Sequence, residues 1–241
     1  MSAACSKSDG VTGVTSTRDC SKPVSFSNNI IDPASLKVIS ALGMVGAGNT
    51  EIVGRSYMFA KDGLEGVRLP LYAPTDVDII AATHYSPDGA PAGYTPDWSM
   101  VLDVGCGVSI ELYHVKDVID AVKNQVPAAL SSSSAWQPLG TRVAVHAGEP
   151  FGWYIKGLNS IAWDFIVHNN AVTNHFANQA RYETANNYLV HVVCPFDPYS
   201  AAMRAAYVTL VGPPGGQPVP GAGCGTVERD EIGRASCRER V

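Results

Sequence analysis

The chain has 241 residues, 46% of them hydrophobic and 16% charged, with a net charge of -5. That length and composition suit one sizeable β-rich domain with arms. The acidic balance excludes the basic stripe that nucleic acid requires, and no apolar run approaches the ~18 residues of a membrane span.

In chain order, residues 1–35 are rich in Ser, Thr, Asn and Asp and read as an extended arm, stapled through Cys20. The opening MSAACSKSDG lacks the apolar core of a signal peptide. Cys5 follows Ser2-Ala3-Ala4, the small residues expected before a processed cysteine, so it is a candidate lipid anchor. Residues 36–45 predict a strand or strand pair, and 55–60 a further strand with its turn at Lys61-Asp62-Gly63. Residues 68–74 and 77–82 are strands flanking a short turn, and 84–97 is a long polar loop.

The stretch 101–115, VLDVGCGVSIELYHV, predicts two strands around the turn Gly105-Cys106-Gly107. Val108, Ile110, Leu112 and His114 share one parity, which puts a histidine at the end of an apolar face. Residues 116–130 predict a helix, with Val115, Val118, Ile119, Val122 and Val126 at helical spacing. Ser131 to Ser134 form a loop, and 142–153 is strand, glycine turn, strand. In 161–169, IAWDFIVHN, Trp163, Phe165 and Val167 share one face and Asp164, Ile166 and His168 the other. Asp164 and His168 stand ~13 Å apart along such a strand, so they do not pair directly. Residues 169–188 read as loop and short helix, and 188–194 as a strand. Asp197-Pro198 predicts a helix start, with Met203, Ala206, Tyr207 and Leu210 on its apolar face. Residues 213–230 read as a Pro/Gly linker.

Residues 231–241, EIGRASCRERV, match a translated sequencing adapter, the mark of an assembled metagenome or transcriptome, and are set aside as a fusion scar. Five cysteines remain, Cys5, Cys20, Cys106, Cys194 and Cys224, with no CxxC pair to make a zinc ribbon. Spread cysteines in an acidic chain point to an oxidising compartment, secreted or in the cell envelope.

Three local patterns carry a family resemblance. LYAPTDVDIIAA (71–82) resembles the VYAPADGTVV segment of M23-type (lysostaphin/LytM-like) peptidases. DVGCGVSIELYHV (103–115) resembles their D-H-G-N-G to L-Y-A-H-L segment. RVAVHAGEPFGW (142–153) resembles V-K-A-G-Q-x-I-G, followed by AWDFIV where that family has H-L-H-F-E-V. The resemblance spans roughly residues 55–169. It implies a mainly β fold, the antiparallel sandwich or barrel of the duplicated hybrid motif, over residues 36–212, with two or three short helices and a groove.

The family's chemistry is zinc-assisted amide hydrolysis. Carried over by position, most of its ligand set is absent. Ala162 and Asp164 stand at the two histidines of H-x-H. The stretch NTEIVGRSY (49–57), where a metal-binding His and Asp belong, has neither and offers only Glu51. His114 falls on the histidine of Y-A-H-L. No cofactor is therefore expected, and zinc is disfavoured by ligand count.

The expectation is a secreted M23-like domain without peptidase activity, binding cell-wall glycan, peptide or a partner protein. The alternative is a hydrolase using the same groove with altered ligands. Candidate catalytic residues are His114 and Asp164, and candidate binding residues His168, Trp163 and Tyr113. Trp98, Trp136, Trp153, Tyr94 and Tyr154 are further candidates for a groove lining, or else core and rim aromatics. His146, in the AGE turn, is read as structural. There is no G-x-S-x-G elbow.

Overall fold

The computed structural model describes residues 18–44, 52–157, 160–176, 178–180, 182 and 189–228. Cys5, Glu51 and the adapter-like tail lie outside them. The fold is mainly β, antiparallel in most of its pairings, with two short helices among the described residues.

Among the described residues, twelve strands form two sheets. In chain order they are β1 (Leu36–Ser40), β2 (Ser56–Ala60), β3 (Arg68–Tyr72), β4 (Val77–Tyr85), β5 (Asp97–Gly105), β6 (Val108–Val115), β7 (Asp117–Val118), β8 (Gln137–Val145), β9 (Pro150–Ile155), β10 (Trp163–Asn169), β11 (Val192–Val193) and β12 (Val211–Gly212). The large sheet runs β12-β1-β2-β10-β6-β5-β4-β8, with β11 pairing β10, and the small one runs β3-β9-β7. β3 and β4 follow one another in sequence yet belong to different sheets, so the turn between them carries the chain from one layer to the other.

Strand alternation explains the layering. Trp163, Phe165 and Val167 of β10 join Leu112, Ile110, Met100 and Leu102 in the main core. Leu71, Phe151 and Tyr154 of the small sheet close that core from the other side. Ile166, on the opposite face of β10, packs under Phe176, Leu189, Val190 and Val192 in a second apolar cluster. Both faces of β10 are therefore covered over much of its length, which is why Trp163–His168 is buried at every position.

The turn at 105–107 has three successive left-handed residues, Gly105 at φ 85°, Cys106 at 56° and Gly107 at 75°. Glycine adopts this without a Cβ penalty; Cys106 is tied to Cys20 of the arm by a disulfide. A second disulfide joins Cys194 to Cys224. The described part of the arm is a structural element, since Phe26, Ile30 and Ile31 lie in the main core.

Three expectations are corrected. The predicted helix over 116–130 shrinks to α1 (Asp120–Lys123). Val118 instead pairs with Gly152 in β7, and Lys116 N–H donates to the Trp153 carbonyl at 2.9 Å. Its apolar spacing fits a helix, but β-branched valines also suit a strand, and the small sheet supplies the backbone partners. The predicted start at Asp197 moves to Ser200, the N-cap of α2 (Ala201–Val208), because 194–199 is taken up by tight turns; Asp197 pairs with Arg204 Nε at 3.1 Å. The stretch after β12 folds back on the sheet: Val219 N–H donates to Val211, and Leu42 N–H to Cys224.

Candidate functional site

The site is built where β6 breaks its alternation. Trp98 pairs with Val115 and Met100 with Leu112, so β6 holds one residue more than β5 between these pairs, a β-bulge. His114 takes up the extra residue with φ 62°, a left-handed conformation that costs a non-glycine residue energy and that histidine tolerates better than most. The bulge returns Val115 to the core and takes His114 off it. His114 therefore does not share the apolar face of Val108, Ile110 and Leu112; its side chain is 39% exposed and bonds to Asp97.

Asp97, the first residue of β5, is the hub. Its carboxylate is fully buried and accepts from Lys116 Nζ on Oδ1, and from the Tyr94 hydroxyl and His114 Nδ1 on Oδ2, the last at 3.1 Å. Lys116 Nζ, also fully buried, donates to Thr95 O at 3.2 Å. The Tyr85 hydroxyl lies 3.4 Å from His114 Nδ1. Burial pushes the Asp97 carboxyl up, but the hydrogen bonds from His114, Lys116 and Tyr94 outweigh it and hold it below the usual carboxylate range. Burial pulls His114 down, and its bond to Asp97 with the negative charges of Asp164 and Asp97 more than restores it, leaving the imidazole above its ordinary value.

Asp164 faces this cluster from β10, in register with Tyr113 on one side and Tyr57 on the other. It is fully buried, and Arg55 Nη1 donates to its Oδ2 at 2.7 Å. Its Oδ1 has no hydrogen-bond partner among the described residues. Burial raises the Asp164 carboxyl despite the opposing Arg55 charge. The Arg55 guanidinium lies 5.5 Å from the Tyr113 ring centre. The Tyr113 hydroxyl donates to Glu111 at 3.4 Å and interacts with Trp136, one of the few exposed large apolar side chains. Further along the same face, His168 Nε2 lies 3.3 Å from Glu111 Oε1 without hydrogen-bond geometry.

His114, Asp164 and Tyr113 are thus brought together. His168 shares their face but stands beyond Ile166 and is buried. Trp163 does not belong to the site: it is fully buried in the main core, on the opposite face of β10, because parity sends it there. Among the other aromatic candidates, Trp98 is buried and stacks on His84 at 4.4 Å, and Tyr154 is core. Trp153 lies under the Arg68 guanidinium at 3.7 Å. His146 lies 3.5 Å from Asp76 in its turn.

Asp97, Lys116, Tyr85 and Arg55 escape sequence reasoning, and Tyr94 enters it only as one aromatic among several. Asp97 reads as the end of a polar loop and Lys116 as the start of a helix. Arg55 sits where only His and Asp are sought as ligands. The alternation of Asp97, Ser99 and Val101 against Trp98, Met100 and Leu102 was the available signal that Asp97 opens a strand.

The Asp164 carboxylate is held by a guanidinium and His114 Nδ1 by Asp97, and among the described residues no group of three or more His, Cys, Asp or Glu side chains converges as metal ligands would. What the cluster offers is a fixed imidazole, a guanidinium and aromatic surface around a polar floor. No family model, curated protein or solved structure matches the chain.

Proposed function

We propose that the protein is a secreted or envelope-located binding module of M23-like ancestry that takes cell-wall peptide or glycan without zinc hydrolysis. The Arg55–Asp164 ion pair carries this reading. The sequence resemblance places a metal ligand at Asp164, and here a permanently charged guanidinium neutralises that carboxylate instead. The partly exposed groups around it, His114, Arg55, Tyr113 and Trp136, are hydrogen-bonding and aromatic surfaces of the kind that hold a polar chain in a groove. Two disulfides are compatible with an oxidising location.

The test is co-sedimentation with purified peptidoglycan, using Trp136→Ala and Tyr113→Ala as variants. Binding by the wild type that falls about tenfold in either variant supports the reading, a loss of about 1.4 kcal/mol. Retention equal to an unrelated acidic protein contradicts it.

A second reading, a hydrolase working without the family's ligands, is favoured by one observation. His114 is held in a left-handed conformation with Nδ1 on a buried carboxylate, the arrangement that orients a general base. Peptidoglycan hydrolysis abolished by His114→Gln supports this second reading against the first.

A further inference from the structure

We propose that Lys116 and Asp97 become joined by an intramolecular isopeptide bond. Both side chains are fully buried, and Nζ and Oδ1 are in direct contact. They come from adjoining strands: Asp97 opens β5, and Lys116 follows the last residue of β6. Nζ lies 5.4 Å from the Tyr94 ring centre, and both reacting side chains are closed off from solvent.

An ion pair shut away from water loses the hydration of two charges, and its Coulomb attraction repays that only in part. Condensation removes both charges at once. The Lys116 ammonium gives up two protons to Oδ1 as Nζ attacks Cγ. The C–N bond forms, the Cγ–Oδ1 bond breaks, and Oδ1 departs as water. The balance is one carboxylate plus one ammonium giving one amide plus one water, with no oxidant and no cofactor.

The second oxygen is already provided for. Oδ2 accepts from His114 Nδ1 at 3.1 Å and from the Tyr94 hydroxyl. These donors stand where negative charge gathers in the tetrahedral intermediate, and they remain as hydrogen bonds to the amide carbonyl afterwards. Thr95 O accepts from Nζ and orients it. The left-handed backbone at His114 serves the same end, since it puts the imidazole beside Asp97 instead of in the core. The product would staple the β5–β6 hairpin across 19 residues at the end opposite its tight turn.

Intact-mass measurement on the full chain, after reduction of the disulfides, tests this. The expected result is a mass one water short of the sequence mass, with a proteolytic digest containing a branched peptide that links Lys116 to Asp97. Lys116→Arg keeps the charge and is expected to show the full mass. His114→Gln keeps both reacting groups and is expected to slow linkage at least tenfold after refolding. The full sequence mass in the wild type, in fresh and aged protein alike, overturns the proposal. So does a water loss found only in linear peptides, which is the signature of aspartate cyclisation. Equal linkage rates in wild type and His114→Gln overturn the role given to His114.

Discussion

Arg55 and Asp164 show how one residue can settle a buried charge. A fully buried carboxylate needs a partner, and Arg55 is the cation beside it. Removing Arg55 leaves that charge buried without its main compensation. Arg55→Met is therefore expected to destabilise the fold by about 3 kcal/mol, the lower end for a broken buried pair because Arg55 itself is partly exposed. Urea denaturation measures this, and Asp164→Asn in the same background should recover part of the loss. His114 makes a second residue-scale prediction, best read in Lys116→Arg, where Asp97 stays a free carboxylate. Its imidazole pKa is raised, so its protonated form stabilises the fold. That contribution is fully present below the ordinary histidine value of ~6.5 and is lost as pH rises through the higher folded value. NMR titration of the ring, compared with stability across the same pH range, checks both the direction and the window.

At the scale of elements, the β6 bulge and the 116–130 segment show what a sequence pattern conveys. Alternation in Val108, Ile110 and Leu112 places that strand correctly and fails two residues later, because the single left-handed residue His114 resets the parity. Nothing in the letters Tyr113-His114-Val115 announces such a bulge; it requires the partner strand's register. The helical spacing of Val118, Ile119 and Val122 is genuine, yet β9 supplies hydrogen bonds that hold the start of this segment, Lys116 to Ile119, out of the helix and leave one short turn of helix after it. The return of the chain over β1 is a sharper case. A Cβ on Gly225 would lie 2.1 Å from Leu42 O, and one on Gly43 1.7 Å from Thr226 O. Both glycines also have positive φ, 92° and 73°. Gly225→Ala is expected to cost at least about 2 kcal/mol and to speed proteolysis after residue 212, whereas Gly223→Ala, with open space around it and no positive φ, should cost under about 1 kcal/mol. Paired thermal melts distinguish them. The Cys20–Cys106 disulfide spans 86 residues and pins the arm, so Cys20→Ser with Cys106→Ser should cost about 2–4 kcal/mol.

For the whole molecule, the mainly β fold was legible because short strands and glycine turns leave a plain pattern, and the two-faced design of β10 was legible from Trp163 to His168 alone. The site was legible only in part. His114, Asp164 and Tyr113 could be named from sequence, but Asp97, Lys116 and Arg55 could not. Their meaning lies in contacts between segments 17 to 109 residues apart, and no local pattern encodes those. The same long-range assembly sets a guanidinium against the Asp164 carboxylate, and the proposal of a metal-independent binding groove rests on that pair. Peptidoglycan binding measured after exhaustive chelation, with and without added zinc, tests it most directly. The account predicts the same affinity in both conditions and no zinc retained by the protein. Loss of binding on chelation, restored by one equivalent of zinc and abolished in Asp164→Ala, would contradict it.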